Sequence, residues 1–334
     1  MLRFKKSIET RIKVCYNRFM DARIKAYAKL NLTLDILGAA NGFHLLDSLV
    51  CTVDLYDLIK ISRRADGKIT VEMHGMGSEL IEPEKNNACL AAKKYQNRFG
   101  CGGADIKIYK NIPMGAGMGG SSADAAGVLR GMAKLFGAGS EAQLKELADE
   151  LGSDTGYMLS GGFARLSGRG ERVQKLNATE KLHFFALFPD GGVSTPKCYA
   201  LYDELAKSSL ATPCPSSPIC HSELREESRL TLSQRGGCRT ATGGACTQSA
   251  ITALQSGNVA ALANSLSNAL TLPATRLNPQ IAEAIEELKS FSPLGVNMTG
   301  SGSAVYALFE SKELCEWARS RYKGKFNSLI LKTI

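Results

Sequence analysis

The sequence predicts an α+β protein of two lobes. Three observations lead there. Stretches of alternating apolar and polar residues and stretches of helical periodicity follow one another without the strict βα order of a parallel sheet. The 334 residues, 44% of them hydrophobic, suffice for two modest domains with real cores. Apolar runs such as Phe184-Phe185-Ala186-Leu187-Phe188 stop far short of the roughly 20 residues that a membrane helix needs. With 22% charged residues the composition is that of an ordinary globular protein, which excludes collagen-like and wholly disordered chains.

From Ala22 onward the elements follow in order. Residues 24–37 are dense in β-branched and apolar side chains and read as a strand pair, or as one long strand, with a turn at Gly38-Ala39-Ala40-Asn41-Gly42. Further strands are expected at residues 48–53, 55–61, 68–73 and 105–112, with a helix over about 86–99 ahead of the last. A glycine-rich turn beginning at Pro113 opens a helix that continues to about Phe136. Ser140 with Gln143 forms a capping box, and Leu144, Leu147, Ala148 and Leu151 share one face of the helix it starts, which Gly152 ends. Residues 161–166 and 182–188 read as strands separated by a turn at Gly168-Arg169-Gly170. Helical patterns return near 196–206, 249–269 and 278–290, and a strand at 303–309 follows a last glycine-rich turn.

Residues 207–247 break every pattern. They are rich in Ser, Thr, Pro, Gly and Cys and read as an insertion, since a structureless loop of this length is foreign to a compact domain. The expected organisation is a basic extension over residues 1–21, a first domain over 22–180 and a second over 181–334 that carries the insertion.

A net charge of +9 invites a nucleic-acid or anionic-membrane reading, so its location matters. Residues 1–25 hold eight Lys or Arg against Glu9 and Asp21, and residues 207–247 hold five against three, which leaves the body of the chain nearly neutral. No nucleic acid and no membrane is therefore expected as a partner. The Arg-rich start has an organelle-transit flavour, and a translated leader before a start at Met20 fits equally well. The ten cysteines form no C-x-x-C pair, four fall in or at the end of the insertion, and Cys51, Cys89, Cys198 and Cys315 stand among apolar neighbours. Reduced, buried thiols and a cytoplasmic setting follow.

The sharpest local feature is Pro113-Met114-Gly115-Ala116-Gly117-Met118-Gly119-Gly120-Ser121-Ser122-Ala123-Asp124, between a strand and a helix. Four glycines let backbone N–H groups converge on one point, and the helix N-terminus adds partial positive charge; that combination suits phosphate. A turn that merely lets the helix pack closely is the alternative. No Gly-Lys-Ser/Thr ends the run, so it is not a Walker A motif, and no downstream ribose acid makes it a Rossmann turn. Glycine-rich turns recur at Gly152-Ser153-Asp154-Thr155-Gly156 and Thr299-Gly300-Ser301-Gly302-Ser303, and Ala28-Lys29-Leu30-Asn31-Leu32 lies on an early strand.

These four segments, in this order, resemble the GHMP family of small-molecule kinases, named for galactose, homoserine, mevalonate and phosphomevalonate. The resemblance spans about residues 22–205 and 250–330. The segment Asn41-Gly42-Phe43-His44-Leu45-Leu46-Asp47-Ser48-Leu49 is similar to that of the branch acting on a cytidine diphosphate-linked methylerythritol.

The resemblance implies a two-lobed GHMP kinase fold, an N-terminal ATP-binding and a C-terminal family domain, and an active site in the cleft between lobes. It implies transfer of a phosphoryl group from Mg²⁺-bound ATP to the C2 hydroxyl of that substrate, a step of non-mevalonate isoprenoid biosynthesis, with a homoserine- or mevalonate-type substrate as the alternative. Pro113, Gly115, Ala116, Gly117, Gly119, Gly120, Ser121 and Ser122 would cradle the triphosphate, though Ser121 and Ala123 stand where the family has a third glycine and a second serine. Asp154 would take the proton of the attacking hydroxyl, with Lys29 near it to stabilise charge. His44 and Phe43 would hold the base, Phe43 replacing the usual Tyr. Asn31, Thr195, Gly300 and Ser301 would meet the substrate. No protein metal ligand is expected, so Mg²⁺ would arrive on the nucleotide. The protein would act as a monomer or homodimer.

Overall fold

The computed structural model describes residues 21–75, 86–210 and 245–334. The basic stretch before Asp21 and nearly all of the expected insertion lie outside them. In chain order the elements begin with β1 (Asp21–Asn31), β2 (Thr33–Ala40), β3 (Phe43–Arg64), β4 (Ile69–His74), α1 (Asn87–Phe99) and β5 (Gly103–Tyr109). Next come α2 (Gly120–Phe136), α3 (Glu141–Asp149), α4 (Thr155–Ser160), β6 (Phe163–Gly168), β7 (Arg172–Lys175), β8 (His183–Phe188) and α5 (Thr195–Leu210). The last are α6 (Ala245–Gln255), α7 (Val259–Asn264), β9 (Ser267–Asn268), α8 (Thr271–Leu277), α9 (Gln280–Lys289), β10 (Gly295–Met298), β11 (Val305–Phe309), α10 (Lys312–Arg321) and β12 (Asn327–Lys332).

Two compact units trade segments along the sequence. The first takes the chain up to Ala28, Leu55–Pro113 and Gly119–Gly161; the second takes Lys29–Asp54, Met114–Met118 and Gly162–Ile334. The boundary expected between residues 180 and 181 thus falls inside the second unit. Strands β1 and β3 run unbroken from one unit into the other, and the two strands expected at 48–53 and 55–61 are a single one.

In the first unit β5 pairs antiparallel with β3 (Ile59 with Ile108) and parallel with β4 (Met73 with Ile108). Ile59, Ile61, Ile106 and Ile108 are fully buried. Helix α2 packs with no side chain of its own at two points four residues apart, hence on one helical face. A Cβ at Gly127 would lie 2.6 Å from Ile59 Cδ1, and one at Gly131 would lie 2.5 Å from Ile61 Cδ1. The capping box is present: Ser140 Oγ accepts from Gln143 N–H, and Gln143 Oε1 accepts from Ser140 N–H. Helix α3 ends at Asp149, so Leu151 lies beyond it. Strand β5 stops at Tyr109, short of the expected residue 112, because the N–H groups of Asn111 and Ile112 turn to the Asp57 carboxylate.

In the second unit β2 and β3 form a hairpin in which Asn41 (φ 52°) and Gly42 (φ 78°) supply the two positive φ angles of a type I′ turn. The first half of β3 also pairs with β6, and β2 pairs with the short β9. A separate antiparallel sheet runs β10-β11-β8-β12. Its core joins Phe185, Leu187, Val305 and Ala307 to Ile281 and Leu288 of α9 and Cys315 and Ala318 of α10. The helix expected over 249–269 is two helices: Gly257 takes the left-handed conformation (φ 68°), and Asn258 caps α7 by accepting from Ala261 N–H. Cys51, Cys89, Cys198 and Cys315 are buried free thiols.

Candidate active site

In the second unit the end of β1 supplies Lys29 and Asn31, both buried at 4% and 3% exposure. Lys29 Nζ donates to Asn31 Oδ1, and Asn31 Nδ2 donates to Ser48 Oγ at 2.8 Å. Asn31 Oδ1 also accepts from Gly300 N–H at 3.0 Å, while Asn31 N–H donates to Thr299 Oγ1 at 3.0 Å. Asn31, expected to meet the substrate, is thus the junction between β1, β3 and the third glycine-rich turn, and Lys29 is oriented through it.

That turn and the first half of the 113–124 segment interlock backbone to backbone. Ser303 N–H donates to Gly115 C=O and Ala304 N–H to Ala116 C=O, which is why β11 starts only at Val305. Lys29 N–H donates to Met118 C=O at 3.1 Å. A Cβ on Gly117 (φ 76°) would lie 2.2 Å from the Thr299 carbonyl oxygen, and one on Gly300 (φ 58°) 2.6 Å from that of Gly117. Only glycine fits either place. Thr195 and Ser301, at the ends of separate loops, share a hydroxyl–hydroxyl bond of 2.7 Å.

His44, second residue of β3, is held from three sides of α5. Its ring stacks on Tyr199 (centroids 4.6 Å apart, 27° between planes) and meets the edge of Tyr202, and its Nε2 bonds Asp203 Oδ1 at 2.8 Å. An ionised carboxylate only accepts, so Nε2 carries the hydrogen of that bond. Phe43 does not share this place. Adjacent residues of a strand face opposite sides, and Phe43 is half exposed beneath the Arg169 guanidinium, 4.8 Å from its ring.

In the first unit Gly119 (φ 73°) precedes α2, and no side chain caps the helix, so its first N–H groups have no intrahelical partner. Ser121 Oγ accepts from Asn87 Nδ2 at 2.9 Å. Asp154 stands at the start of α4, and its side chain makes no capping bond to that helix.

Beneath the start of α2 lies a charge cluster. Lys110 Nζ donates to Asp57 Oδ2 and, at 2.6 Å, to Asp124 Oδ2; the three side chains are at most 4% exposed. Asp57 Oδ1 accepts the N–H groups of Asn111 (2.6 Å) and Ile112 (2.9 Å). Burial pushes the Asp124 carboxyl up to about 7, against the pull of Lys110 and with the charge of Asp57 adding to the rise. Burial would lower Lys110, but Asp124 and Asp57 outweigh it and hold the ammonium above its ordinary range. Among the described residues no three His, Cys, Asp or Glu side chains form a group able to hold a metal.

The structure therefore brings together Lys29, Asn31, Gly115–Gly117 and Thr299–Ser301 within one unit, and it brings His44 to Tyr199, while Phe43 faces the other side of β3. Sequence reasoning missed Tyr199, Tyr202 and Asp203, whose i, i+3, i+4 spacing after Pro196 marks one helical face, and it gave no role to Ser48 and Thr299, although both stand in segments it singled out.

Comparison with known proteins gives the family of the chain. The GHMP kinases N terminal domain matches residues 86–164, and the GHMP kinases C terminal domain matches 250–324. A 4-diphosphocytidyl-2-C-methyl-D-erythritol kinase of Caldicellulosiruptor saccharolyticus is 35% identical over 314 residues, covering 93% of this chain and 96% of its own. The enzyme of the same name from Clostridium beijerinckii is 32% identical over 92% of this chain and 98% of its own. A crystal structure of 4-(cytidine 5'-diphospho)-2C-methyl-D-erythritol kinase superposes with a TM-score of 0.68 at 26% identity, over 93% of this chain and 98% of that one. Mevalonate kinase of L. major, at 12% identity and a TM-score of 0.69 over 95% and 97% of the two chains, is alike in fold. With paired domain matches and curated relatives of this identity along nearly its whole length, the chain belongs to the GHMP kinases, in the 4-diphosphocytidyl-2-C-methyl-D-erythritol kinase family.

Proposed function

We propose that the chain transfers the γ-phosphoryl group of ATP to the C2 hydroxyl of 4-diphosphocytidyl-2-C-methyl-D-erythritol. The observation that supports this most is the junction of Lys29, Gly115–Met118 and Thr299–Ser301: a buried ammonium beside a glycine backbone so close-packed that no side chain could intrude. Such a backbone suits a polyphosphate, and phosphoryl transfer is mostly positioning and charge stabilisation.

In this reading Asp154 takes the proton of the C2 hydroxyl as its oxygen bonds the γ-phosphorus, and the bond from that phosphorus to the bridging oxygen breaks to release ADP. Lys29, steadied by Asn31, stabilises the charge passing through the transferred group. The helix α2 N-terminus with Ser121 and Ser122, the first glycines, and Gly300 and Ser301 receive phosphate oxygens through N–H and hydroxyl donors. Thr195 approaches the substrate through its hydroxyl. His44, its Nε2 occupied by Asp203, presents the Nδ1 edge of its ring to the cytosine, with the aromatic rings of Tyr199 and Tyr202 beside it. Asp57 and Asp124, the carboxylates beneath the start of α2, are committed to Lys110, so Mg²⁺ would come with the triphosphate and would neutralise part of its charge.

A coupled assay of ADP release with this substrate is the test. Asp154→Asn should lower kcat by about 10²–10⁴-fold with the fold intact by circular dichroism. Full activity in that variant would overturn the mechanism, and turnover of homoserine or mevalonate in place of the cytidine diphosphate compound would overturn the substrate.

A further inference from the structure

We propose that Lys110, Asp57 and Asp124 form a positioning cluster that ties the entrance of the glycine-rich loop to its exit, and so sets the geometry in which nucleotide phosphates are received. The proposal rests on reading that loop as the ATP site.

The loop leaves β5 after Tyr109 and enters α2 at Gly120. On the entrance side one carboxylate oxygen of Asp57 holds two successive N–H groups, those of Asn111 and Ile112, immediately before Pro113. On the exit side Asp124 lies in the opening turns of α2, four residues after Gly120. A single ammonium, Lys110 Nζ, bonds both carboxylates, so entrance and exit are joined through one atom. The joint is close. A Cβ on Gly120 would stand 3.2 Å from Ile112 Cγ2 and 3.5 Å from Lys110 Nζ, leaving no slack between strand end and helix start.

A cluster present only for stability would not need this composition. Two carboxylates against one ammonium, all nearly fully buried, carry a cost that well-packed apolar side chains of similar volume would avoid. One oxygen, Asp124 Oδ1, is buried and makes no hydrogen bond. What the charges provide and apolar groups could not is direction: charge-assisted bonds fix distances and angles at both ends of the loop. The helix N-terminus that should receive phosphate is thereby held at a set height above the strand. None of the three side chains is placed to touch substrate; each acts through the loop backbone.

Three full-length variants test this: Lys110→Met, which cuts both ties; Asp124→Ala, which frees the exit and keeps the Lys110–Asp57 pair; and Asp124→Asn, whose amide oxygen can still accept from Lys110. Hydrogen–deuterium exchange reads the tie itself. Lys110→Met and Asp124→Ala should exchange at least tenfold faster than the unaltered protein over residues 113–122, with α3 unchanged, and Asp124→Asn should stay within threefold. Kinetics read its purpose. The KM for ATP should rise at least tenfold in the first two variants while the KM for the alcohol substrate stays within twofold, and Asp124→Asn should restore most of the loss.

Unchanged exchange over 113–122, or a parallel fall in every kinetic constant with no selective effect on ATP, would overturn the proposal. If Lys110→Met does not fold, Asp124→Ala carries both measurements. Local loosening in a protein whose unaltered form consumes no ATP would leave the tie standing and overturn the nucleotide reading instead.

Discussion

The middle of the glycine-rich loop and its two flanks are secured by opposite means. Residues 115–118 are held by neutral backbone bonds from Ser303, Ala304 and Lys29, with Gly117 and the Thr299 carbonyl too close for any side chain. Residues 110–112 and 124 are held by a buried ammonium and two carboxylates. The first device is steric: it is indifferent to charge and tolerates no added atom. The second is electrostatic: it has room for isosteric replacement and depends on ionisation. A loop that must receive a highly charged ligand without yielding gains from having one anchor that the ligand's charge cannot perturb.

The largest effect expected is on the electrostatic anchor. Asp57→Ala leaves Lys110 short of one partner and two N–H groups without an acceptor, and should cost about 3–5 kcal/mol of unfolding free energy in urea titration. A loss below about 1 kcal/mol would erase the distinction between the middle of the loop and its flanks. On the steric side, Gly117→Ala should lower kcat/KM by at least about 10²-fold, the order expected when reacting groups shift by about an ångström. Its control is Gly42→Ala, also at positive φ but with nothing within 4 Å of the added carbon, which should cost about 1–2 kcal/mol and leave catalysis alone. Next in size, Thr299→Val removes the acceptor for Asn31 N–H and should destabilise by about 1–3 kcal/mol at every pH between 5 and 8, since no ionisable partner enters that bond.

A pH effect sharpens the contrast. With Asp124 pushed up to about 7 in the native state and an unfolded carboxyl near about 3.9, the native protein holds a proton that the unfolded chain has lost between those values. The stabilisation from that proton is complete below about pH 4 and is lost as pH rises through about 7. Urea titrations at pH 5 and pH 8 should therefore show the unaltered protein losing stability relative to Asp124→Asn as pH rises. A constant difference would remove the assignment.

What could be read from the sequence was what depends on neighbours in the chain. The glycine run, the capping box at Ser140 and the Asn41-Gly42 turn each carry their reason within a few residues. What failed depended on distance. The bonds that Thr299 and Gly300 make with Asn31 come from the far end of the chain, where no local pattern could point to them. Tyr199, which stacks on the His44 ring, stands more than 150 residues away from it in the chain, and adjacency on a strand separates the side chains of Phe43 and His44. Helix α10 escaped notice because it buries only Cys315 and Ala318 and leaves Trp317 exposed, and β10 and β12 are short and lack strong alternation. The family resemblance supplied the roles of Lys29 and Asp154, which no local pattern could have given.

The interleaving of the two units also bears on how the chain can assemble during synthesis. Residues 29–54 and 114–118 belong with a unit whose remainder starts at Gly162 and runs to the end of the chain. At ribosomal rates of about 5–20 residues per second, the early strands must wait on the order of 10–60 s for their last partners, β11 and β12. During that interval β2 and the first half of β3 have only their hairpin and β6 to shelter them, with Leu30, Leu34, Leu49 and Val50 awaiting burial. A cut near residue 162 would not give two separable halves: one fragment would carry strands that belong with the other, and the other would lack the junction on which Lys29 is mounted.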